Sequence, residues 1–290
     1  MLCDSLPRQA PSELTVAPSE DLLRFTLPSE VRGKGVWRCR DSPWAERVPE
    51  IERLATQHGS LEPTAVLKEN AGKRVFLWRD GLEAVPATVV KVSTSLKLRL
   101  RFQSRRRLDA EAWNLACADQ RGLRVPQLYA CGVYGWSFCR RRVVICMQSF
   151  PWPKMFDEFA TTRAEADQWR LLRRASHSLR RLYETGCVHI DFGPHNILLS
   201  PETADEDVVI DLEFAGFLPR PNPDMFAAQA GYFSWCVATN QHWVAPSLVE
   251  AWFADLMAEQ RFRQPDRLWS IWRRNFLERA STRRRLAWCS

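Results

Sequence analysis

Two acids and an amide near residue 200 have a spacing that suits phosphoryl transfer. In His189-Ile-Asp191-Phe-Gly-Pro-His-Asn196 an acid lies five residues before an amide, and a second acid, Asp211, follows the apolar run Val-Val-Ile. Transfer of phosphate to a hydroxyl group uses one carboxylate to orient the acceptor and take its proton, while an amide and a second carboxylate hold Mg²⁺ against the nucleotide phosphates. Because H-x-D-x-x-x-x-N is the spacing of kinase catalytic loops, we predict an ATP- and Mg²⁺-dependent kinase.

The pattern predicts a role for each of these residues. Asp191 is the expected base, and Asn196 and Asp211 are the expected Mg²⁺ ligands. Glu213, two residues after Asp211, is a candidate auxiliary ligand. We expect His189 to brace the catalytic loop through hydrogen bonds, because Asp191 already fills the role of base.

The order of elements around the motif favours chemistry over a simple turn. The stretch is rich in turn formers, so Asp191 and Asn196 could instead cap a tight loop. However, residues 171–184 have the apolar spacing of a helix, which Gly186 would stop. Short apolar strands are expected at 197–199 and 208–210, on either side of a polar turn. Helix, loop, strand, turn, strand and acid is the order that this chemistry requires.

Composition indicates a globular chain long enough for two lobes. Of its 290 residues, 46% are hydrophobic and 26% are charged, which excludes a disordered protein. No apolar run approaches the roughly 18 residues of a membrane span. The first residues lack the basic and apolar regions of a secretory signal. The nine cysteines form no C-x-x-C pair, so we expect reduced thiols in a cytoplasmic protein, and a zinc site near the catalytic loop is disfavoured.

The chain divides into three zones in the sequence. Residues 1–60 are Pro-rich and weakly periodic, and we expect an N-terminal extension whose order the pattern does not determine. Strand patterns then predict a small β-rich N-lobe over 61–150, and helical patterns predict a larger C-lobe over 151–290. The expected fold is α+β and bilobal, like that of protein kinases. Within the N-lobe, residues 143–148 are expected to form an edge strand that leads into the hinge.

A lysine and a glutamate of the N-lobe are candidates for the ion pair of kinases. Lys91 is flanked by valines in a strand pattern, and Glu111 lies twenty residues later on the next expected helix. Lys97 competes with Lys91, since residues 96–101 also alternate like a strand, but 99–107 fit a loop or a basic helix better. The structural alternatives are an edge-strand lysine for Lys91 and a solvated helix face for Glu111.

The phosphate-covering loop is the weakest prediction. No G-x-G-x-x-G precedes the strands. The turn that contains Gly72 is the best candidate for such a cover, ahead of Gly33 and Gly35.

These residues together carry a family resemblance. The chain resembles the kinases of the bacterial lipopolysaccharide core, the Kdo and heptose kinase family, over roughly residues 64–215. The resemblance rests on Lys91, on Ala-Glu111-Ala-Trp-Asn-Leu, on the segment 122–132, on Asn196-Ile-Leu-Leu and on Ile-Asp211-Leu-Glu. It implies a bilobal kinase fold, ATP with Mg²⁺, and a sugar hydroxyl of the inner core of lipopolysaccharide as acceptor.

Two departures argue against an ordinary protein kinase. Gly193 stands where protein kinases place a lysine two residues after the base, and the metal motif is Asp-Leu-Glu rather than Asp-Phe-Gly. Both favour a small-molecule or glycolipid acceptor. The alternatives are an aminoglycoside-like or choline-like kinase, an atypical protein kinase and a pseudokinase scaffold.

The basic charge indicates anionic partners. The net charge is +7, and residues 91–107 contain seven basic residues and no acid. The stretch from Arg261 onward contains nine arginines and only two acidic residues. Such clusters attract an anionic glycolipid or sugar acceptor, and could hold the enzyme peripherally at the inner face of the cell membrane. Nucleic acid is the competing partner for a basic protein, but we do not expect it because no nucleic-acid-binding module is recognisable.

Overall fold

The structure is a computed structural model. It describes residues 20–32, 35–56, 64–69, 73–79, 87–93, 98–134, 142–240 and 243–278, and in the helix that begins at Leu98 it describes side chains from Leu108 onward.

An antiparallel sheet of seven strands forms the N-lobe. Its spatial order is β1-β2-β6-β7-β5-β4-β3, so β1 and β3 are the edge strands. The strands are β1 (Ser29–Arg32), β2 (Gly35–Cys39), β3 (Thr64–Glu69), β4 (Lys73–Trp78), β5 (Thr88–Ser93), β6 (Leu128–Tyr134) and β7 (Arg142–Gln148). The expectation that 143–148 form an edge strand was wrong, because β7 pairs with β6 on one side and with β5 on the other. Its continuous run of buried side chains fits this central place.

Helices cover both faces of the sheet. Those of the N-lobe are α1 (Glu20–Thr26), α2 (Ser42–Glu46), α3 (Val48–Thr56) and α4 (Leu98–Gln120). The helix expected around 110–120 therefore begins earlier, within the basic segment. Residues 111–118 of α4 are buried against the sheet and the C-lobe, and α4 shares its core with Val143, Ile145 and Met147 of β7.

Part of the segment expected as an extension belongs to the sheet. Residues 29–39 form β1 and β2, and β2 pairs with β6. Trp37 is fully buried and donates a hydrogen bond from Nε1 to Glu52 Oε1 of α3 at 2.8 Å. Its ring lies where a Cβ on Gly132 of β6 would stand, since that atom would meet Trp37 at 2.3 Å. The N-terminal strands thus fit the sheet by close packing.

The C-lobe is mostly helical. It contains α5 (Met155–Thr161), α6 (Glu165–Glu184), α7 (Pro223–Asn240), α8 (Pro246–Gln260) and α9 (Pro265–Leu277). Its core is rich in stacked aromatic rings, among them Phe253 and Trp272 at 5.0 Å between centroids. Such pairs bury large apolar areas and fix the angles between helices. This lobe and the sheet together confirm the expected α+β, bilobal kinase-like fold.

Two short antiparallel strand pairs of the C-lobe flank the candidate catalytic residues. β8 (Cys187–His189) pairs with β11 (Ala215–Phe217), and β9 (Ile197–Leu198) pairs with β10 (Val208–Val209). Helix α6 leads into β8 through Gly186, which has a φ of +66°, and a Cβ there would meet Leu218 O at 2.6 Å. A glycine is therefore required at this turn.

No helix in the described part of the chain is long and apolar enough to cross a membrane.

Candidate active site

A cleft of about 1090 Å³ lies between the two lobes. Its upper wall comes from β4, β5 and β7, and its floor comes from the hairpin β9–β10 and from Asp211. The segment Ser149–Lys154, which connects the lobes, closes one side. Apolar side chains face both walls of the cleft: Val75, Leu77, Val89, Met147, Leu198 and Ile210. A flat apolar slot of this kind suits an aromatic base, and the charged end lies next to it.

The charged end begins with the candidate lysine and glutamate. Lys91 projects from β5, and Glu111 projects from α4, and both are buried. The Lys91 ammonium donates to Glu111 Oε1 and also to Asp211 Oδ1, the latter at 2.8 Å. Lys91 is therefore neither an edge-strand lysine nor solvated, and Glu111 does not lie on a solvated helix face.

Opposite charges set the pKa values at this end. Burial alone would raise the pKa of Asp211, but the ammonium groups of Lys91 and Lys73 outweigh it and hold the pKa far below its usual value. Burial alone would lower the pKa of Lys91, but Glu111 and Asp211 outweigh it and raise that pKa. Asp211 and Lys91 are therefore both charged near neutral pH.

Asp211 is held in a strained backbone conformation. It has a φ of +61°, in the left-handed region that non-glycine residues rarely adopt. The short 3₁₀ turn Leu212–Phe214 follows it. Asn114 of α4 donates from Nδ2 to Leu212 O at 2.7 Å and to Ala215 O at 3.0 Å, and so ties both ends of that turn to the helix that carries Glu111. Strain at a residue of this kind persists only where surrounding contacts impose it.

The catalytic loop is fixed by hydrogen bonds to its backbone. Asn196 donates from Nδ2 to Asp191 O at 3.0 Å, across the loop. The His189 ring is fully buried. Its Nε2 lies 3.1 Å from Ile210 O, and its Nδ1 accepts a hydrogen bond from the backbone N–H of Asp191 at 3.3 Å. These partners place the proton of His189 on Nε2. Burial lowers the pKa of His189, so the ring is neutral and braces the loop.

Gln229 completes the support of the loop. It is buried on α7, and its Oε1 accepts a hydrogen bond from the backbone N–H of His189 at 2.7 Å. The link ties β8, from which the catalytic loop emerges, to the helical core. The sequence pattern gives no signal for this residue.

Sequence reasoning also missed Lys73, the first residue of β4. Its ammonium lies 2.7 Å from Glu213 Oε2, 3.4 Å from Asp211 Oδ1 and 3.9 Å from Glu111 Oε2. Strand alternation gives a partial signal, since Lys73, Val75 and Leu77 all line the cleft. Its ionic partners, however, are about 40 or 140 residues away in sequence, which no local pattern predicts.

Three carboxylates could share a cation. Glu111, Asp211 and Glu213 each offer an oxygen, and these oxygens all lie within 4.8 Å of one another. Glu111 Oε2 is buried and accepts no hydrogen bond within the described residues. Carboxylate oxygens are the ligands that Mg²⁺ prefers, so the donor set fits this ion. Asn196 lines the same cleft from the floor.

The mouth of the cleft is basic. Lys68, Arg79 and Lys154 line it together with His195, and Asp157 is the acid among them. Burial lowers the pKa of His195, and the nearby Lys154 and Lys68 act in the same direction. A cleft with this charge attracts phosphorylated ligands.

Gly72, proposed to cover the phosphates, lies outside the described residues, as do Gly33, Lys97 and the last twelve residues of the chain.

Comparison with known proteins finds one family model that matches part of the chain. Residues 88–217 match the family model described as "Lipopolysaccharide kinase (Kdo/WaaP) family". The matched region contains Lys91, Glu111, Asp191, Asn196 and Asp211. The match confirms the resemblance predicted from the sequence, and the protein is a kinase.

Two further comparisons give a distant solved structure and no curated relative. A solved structure titled "WaaP in complex with acyl carrier protein" is 17% identical, with 85% of this chain and 92% of that chain covered and a TM-score of 0.48. No curated protein matches the chain.

Proposed function

We propose that the protein uses ATP and Mg²⁺ to phosphorylate a sugar hydroxyl in the inner core of lipopolysaccharide. The observation that carries the proposal is the contact of Lys91 with both Glu111 and Asp211 at the charged end of the cleft. This contact joins the N-lobe strand, helix α4 and the candidate metal loop. Kinases need all three in place at once.

The cleft offers a nucleotide two environments, an apolar slot for the base and a charged end for the phosphates. The base would lie among the apolar side chains that line the cleft, such as Val75, Val89 and Leu198. Lys91 would bind the phosphates, with Glu111 holding its ammonium in position. Asp211, Glu213 and Asn196 would hold Mg²⁺. The bound ion would neutralise charge on the phosphates.

Asp191 would orient the acceptor hydroxyl and accept its proton. Its backbone is fixed by two neighbours, since Asn196 Nδ2 donates to its carbonyl oxygen and its own N–H donates to His189 Nδ1. Both bonds hold the backbone of Asp191 in place at the start of the catalytic loop. His189 remains a positioning residue in this scheme.

The acceptor is inferred from charge and from the family. The basic mouth of the cleft, with Lys68 and Lys154, suits an anionic sugar. The family description names lipopolysaccharide kinases. A glycolipid acceptor would place the enzyme at the cytoplasmic face of the inner membrane, where basic clusters would hold it peripherally.

An acceptor screen with labelled ATP tests this proposal. Lipopolysaccharide core, an aminoglycoside, choline and a generic protein substrate are compared, each with and without Mg²⁺. We expect Mg²⁺-dependent transfer to the core sugar alone, and none by the Asp191→Asn variant. Transfer to another acceptor would overturn the substrate class, and ATP binding without any turnover would indicate a pseudokinase.

A further inference from the structure

Lys73 lies among the carboxylates that the proposed metal ion would use. Its shortest contact is to Glu213 Oε2 at 2.7 Å, and Asp211 Oδ1 is at 3.4 Å. The side chain is 12% exposed. The side chain therefore projects from the start of β4 into the charged end of the cleft and does not extend into solvent.

With Glu111, Asp211 and Glu213 all ionised, the charges around Lys73 leave one negative charge uncompensated among the described residues. Burial raises the pKa of Glu111, while the ammonium groups of Lys91 and Lys73 favour its charged form. Three carboxylates, those of Glu111, Asp211 and Glu213, face two ammonium groups, those of Lys91 and Lys73. Without Lys73 the excess would be two negative charges in a largely buried space, which is costly. The Lys73 ammonium therefore does for Asp211 and Glu213 what a bound cation would do.

Lys91 and Lys73 differ in how firmly they are held. Lys91 is paired with the fully buried Glu111 and also bonds Asp211. Lys73 contacts Glu213, one of the carboxylates that a divalent cation would engage. A divalent cation on Asp211 and Glu213 would repel the Lys73 ammonium and take its acceptors. The side chain would then be free to turn along the cleft wall, where it stands beside Val75.

We propose that Lys73 is a second phosphate-binding lysine that competes with the divalent cation for Asp211 and Glu213. Without the cation, its ammonium neutralises these carboxylates. With the cation in place, the ammonium contacts the phosphates of the nucleotide that lies in the same cleft. The inference rests on the proposed function, because it needs a nucleotide and a divalent cation in this cleft.

Lys73→Met tests the proposal, because it should change two affinities in opposite directions. Binding of Mn²⁺ without nucleotide, followed by electron paramagnetic resonance of the free ion, should become tighter, since the competing ammonium is gone. Binding of ATP in the presence of Mg²⁺, measured by calorimetry, should weaken. A charge-assisted contact of this kind corresponds to roughly tenfold or more in each affinity.

Two variants serve as controls. Arg74→Met removes the next cation on the same strand, but Arg74 faces the opposite side, with its guanidinium 5.9 Å from the Phe76 ring centroid. Neither affinity should change in this variant. Lys73→Arg keeps the positive charge and should retain most of the ATP affinity, while Mn²⁺ binding stays close to that of the wild type.

Thermal unfolding shows whether Lys73→Met is still folded. Lys73→Met should unfold at a lower temperature than wild type without divalent cations, and Mg²⁺ should raise that temperature more than it does for wild type. Unchanged Mn²⁺ affinity, or a loss of both affinities in a variant that is folded in Mg²⁺, would overturn the role of Lys73. Failure of the wild type to bind ATP with Mg²⁺ would instead refute the proposed function itself.

Discussion

The ion pair of Arg174 and Asp207 in the C-lobe makes a useful contrast with the charged end of the cleft. Arg174 Nε donates to Asp207 Oδ2 at 3.0 Å, and its Nη2 donates to Asp207 Oδ1 and to Ser200 O. Asp207 also accepts from the backbone N–H of Ser200 at 2.8 Å. The Asp207 side chain is fully buried. This pair is neutral, and both oxygens of Asp207 are used.

The charged end of the cleft has neither property. Lys73 and Lys91 face three carboxylates, so the group carries an excess negative charge. Glu111 Oε2 is buried and accepts no hydrogen bond in the described part of the chain. The Asp211 side chain is 32% exposed toward the open cleft.

The difference separates a structural ion pair from a binding site. A neutral pair with filled acceptors has nothing to offer a ligand, and its worth lies in tying α6 to the turn between β9 and β10. A group with excess negative charge, an oxygen that accepts no hydrogen bond and a side open to the cleft is stabilised when a cation binds. Burial and ion pairing alone would not have distinguished the two, because both systems are largely buried.

Asp211→Asn breaks the charged end of the cleft, and we expect the largest effect from it. The variant loses a charge that Lys91 and Lys73 both contact, so Mg²⁺ should no longer tighten ATP binding. Turnover should fall by roughly 10²–10³-fold, as when one electrostatic contact to a transition state is removed. Calorimetry with ATP at varied Mg²⁺ measures the first effect, and labelled-ATP transfer measures the second.

Asp207→Asn is the control for Asp211→Asn. It removes an acid of the same type from a buried ion pair, so stability should fall while the Mg²⁺ dependence of ATP binding stays. Equal Mg²⁺ dependence in wild type and Asp211→Asn would show that Asp211 does not hold the ion.

Sequence patterns predict the parts of this site whose residues are separated by short, regular elements. The catalytic loop, Asp191 to Asn196, and the acid after the next hairpin are separated by fixed short elements, so their order implies their proximity. Lys91 and Glu111 are also predictable, because a strand followed by a helix brings residues twenty apart onto facing surfaces. The structure brings Lys91 into contact with Glu111 and Asp211.

The rest of the site depends on tertiary contacts. Lys73 meets Glu213, 140 residues away, and Asn114 meets the turn after Asp211 across the lobes. A polar residue in a helix normally indicates a solvated face, so Asn114 gives no warning that it is buried. The burial of Trp37 likewise depends on the space beside Gly132, where a Cβ would overlap the Trp37 ring. The central place of β7 is set by which strands pair, which apolar periodicity does not specify.

Arg174→Met tests the structural side of the contrast. Removing one partner leaves Asp207 charged and buried without its cation, which costs about 3–5 kcal/mol of unfolding free energy. Chemical denaturation measures this loss. Activity per folded molecule should remain close to wild type, and Mg²⁺ should not restore stability.

The double variant Arg174→Met/Asp207→Asn shows whether the cost comes from the unpaired charge. It should recover part of the stability lost by Arg174→Met, since a neutral amide can still accept from Ser200 N–H. A double variant no more stable than the single one would mean that packing, and not charge, sets the cost.

Asn114→Leu has a smaller expected effect and probes the link between the lobes. Loss of its two hydrogen bonds leaves the carbonyls of Leu212 and Ala215 without this donor, at about 1–3 kcal/mol of unfolding free energy. Because the turn positions Asp211, the Michaelis constant for ATP with Mg²⁺ should rise more than turnover falls. Asn114→Asp, whose ionised carboxylate cannot donate and would face both carbonyl oxygens, should lose more stability than Asn114→Leu. A stability loss with unchanged kinetics would make Asn114 a structural residue only.

The smallest effect concerns pH and His189. Burial lowers the pKa of this ring, and its Nδ1 accepts from Asp191 N–H. A proton on Nδ1 would face that N–H and remove the hydrogen bond. In the unfolded chain the ring titrates near its ordinary pKa of about 6.5. Acidification through that value therefore protonates the unfolded chain first, and stability falls as the pH drops below it.

Unfolding free energies from pH 7.5 to 5.5 check this prediction for His189. Wild type should lose stability steadily below pH 6.5. His189→Gln, whose amide can still donate to Ile210 O, should start less stable and change less with pH. His195, whose pKa is also lowered by burial, contributes a second part of the slope, so His195→Gln should flatten it as well. A wild-type slope that neither substitution reduces would show that other groups control the acid sensitivity.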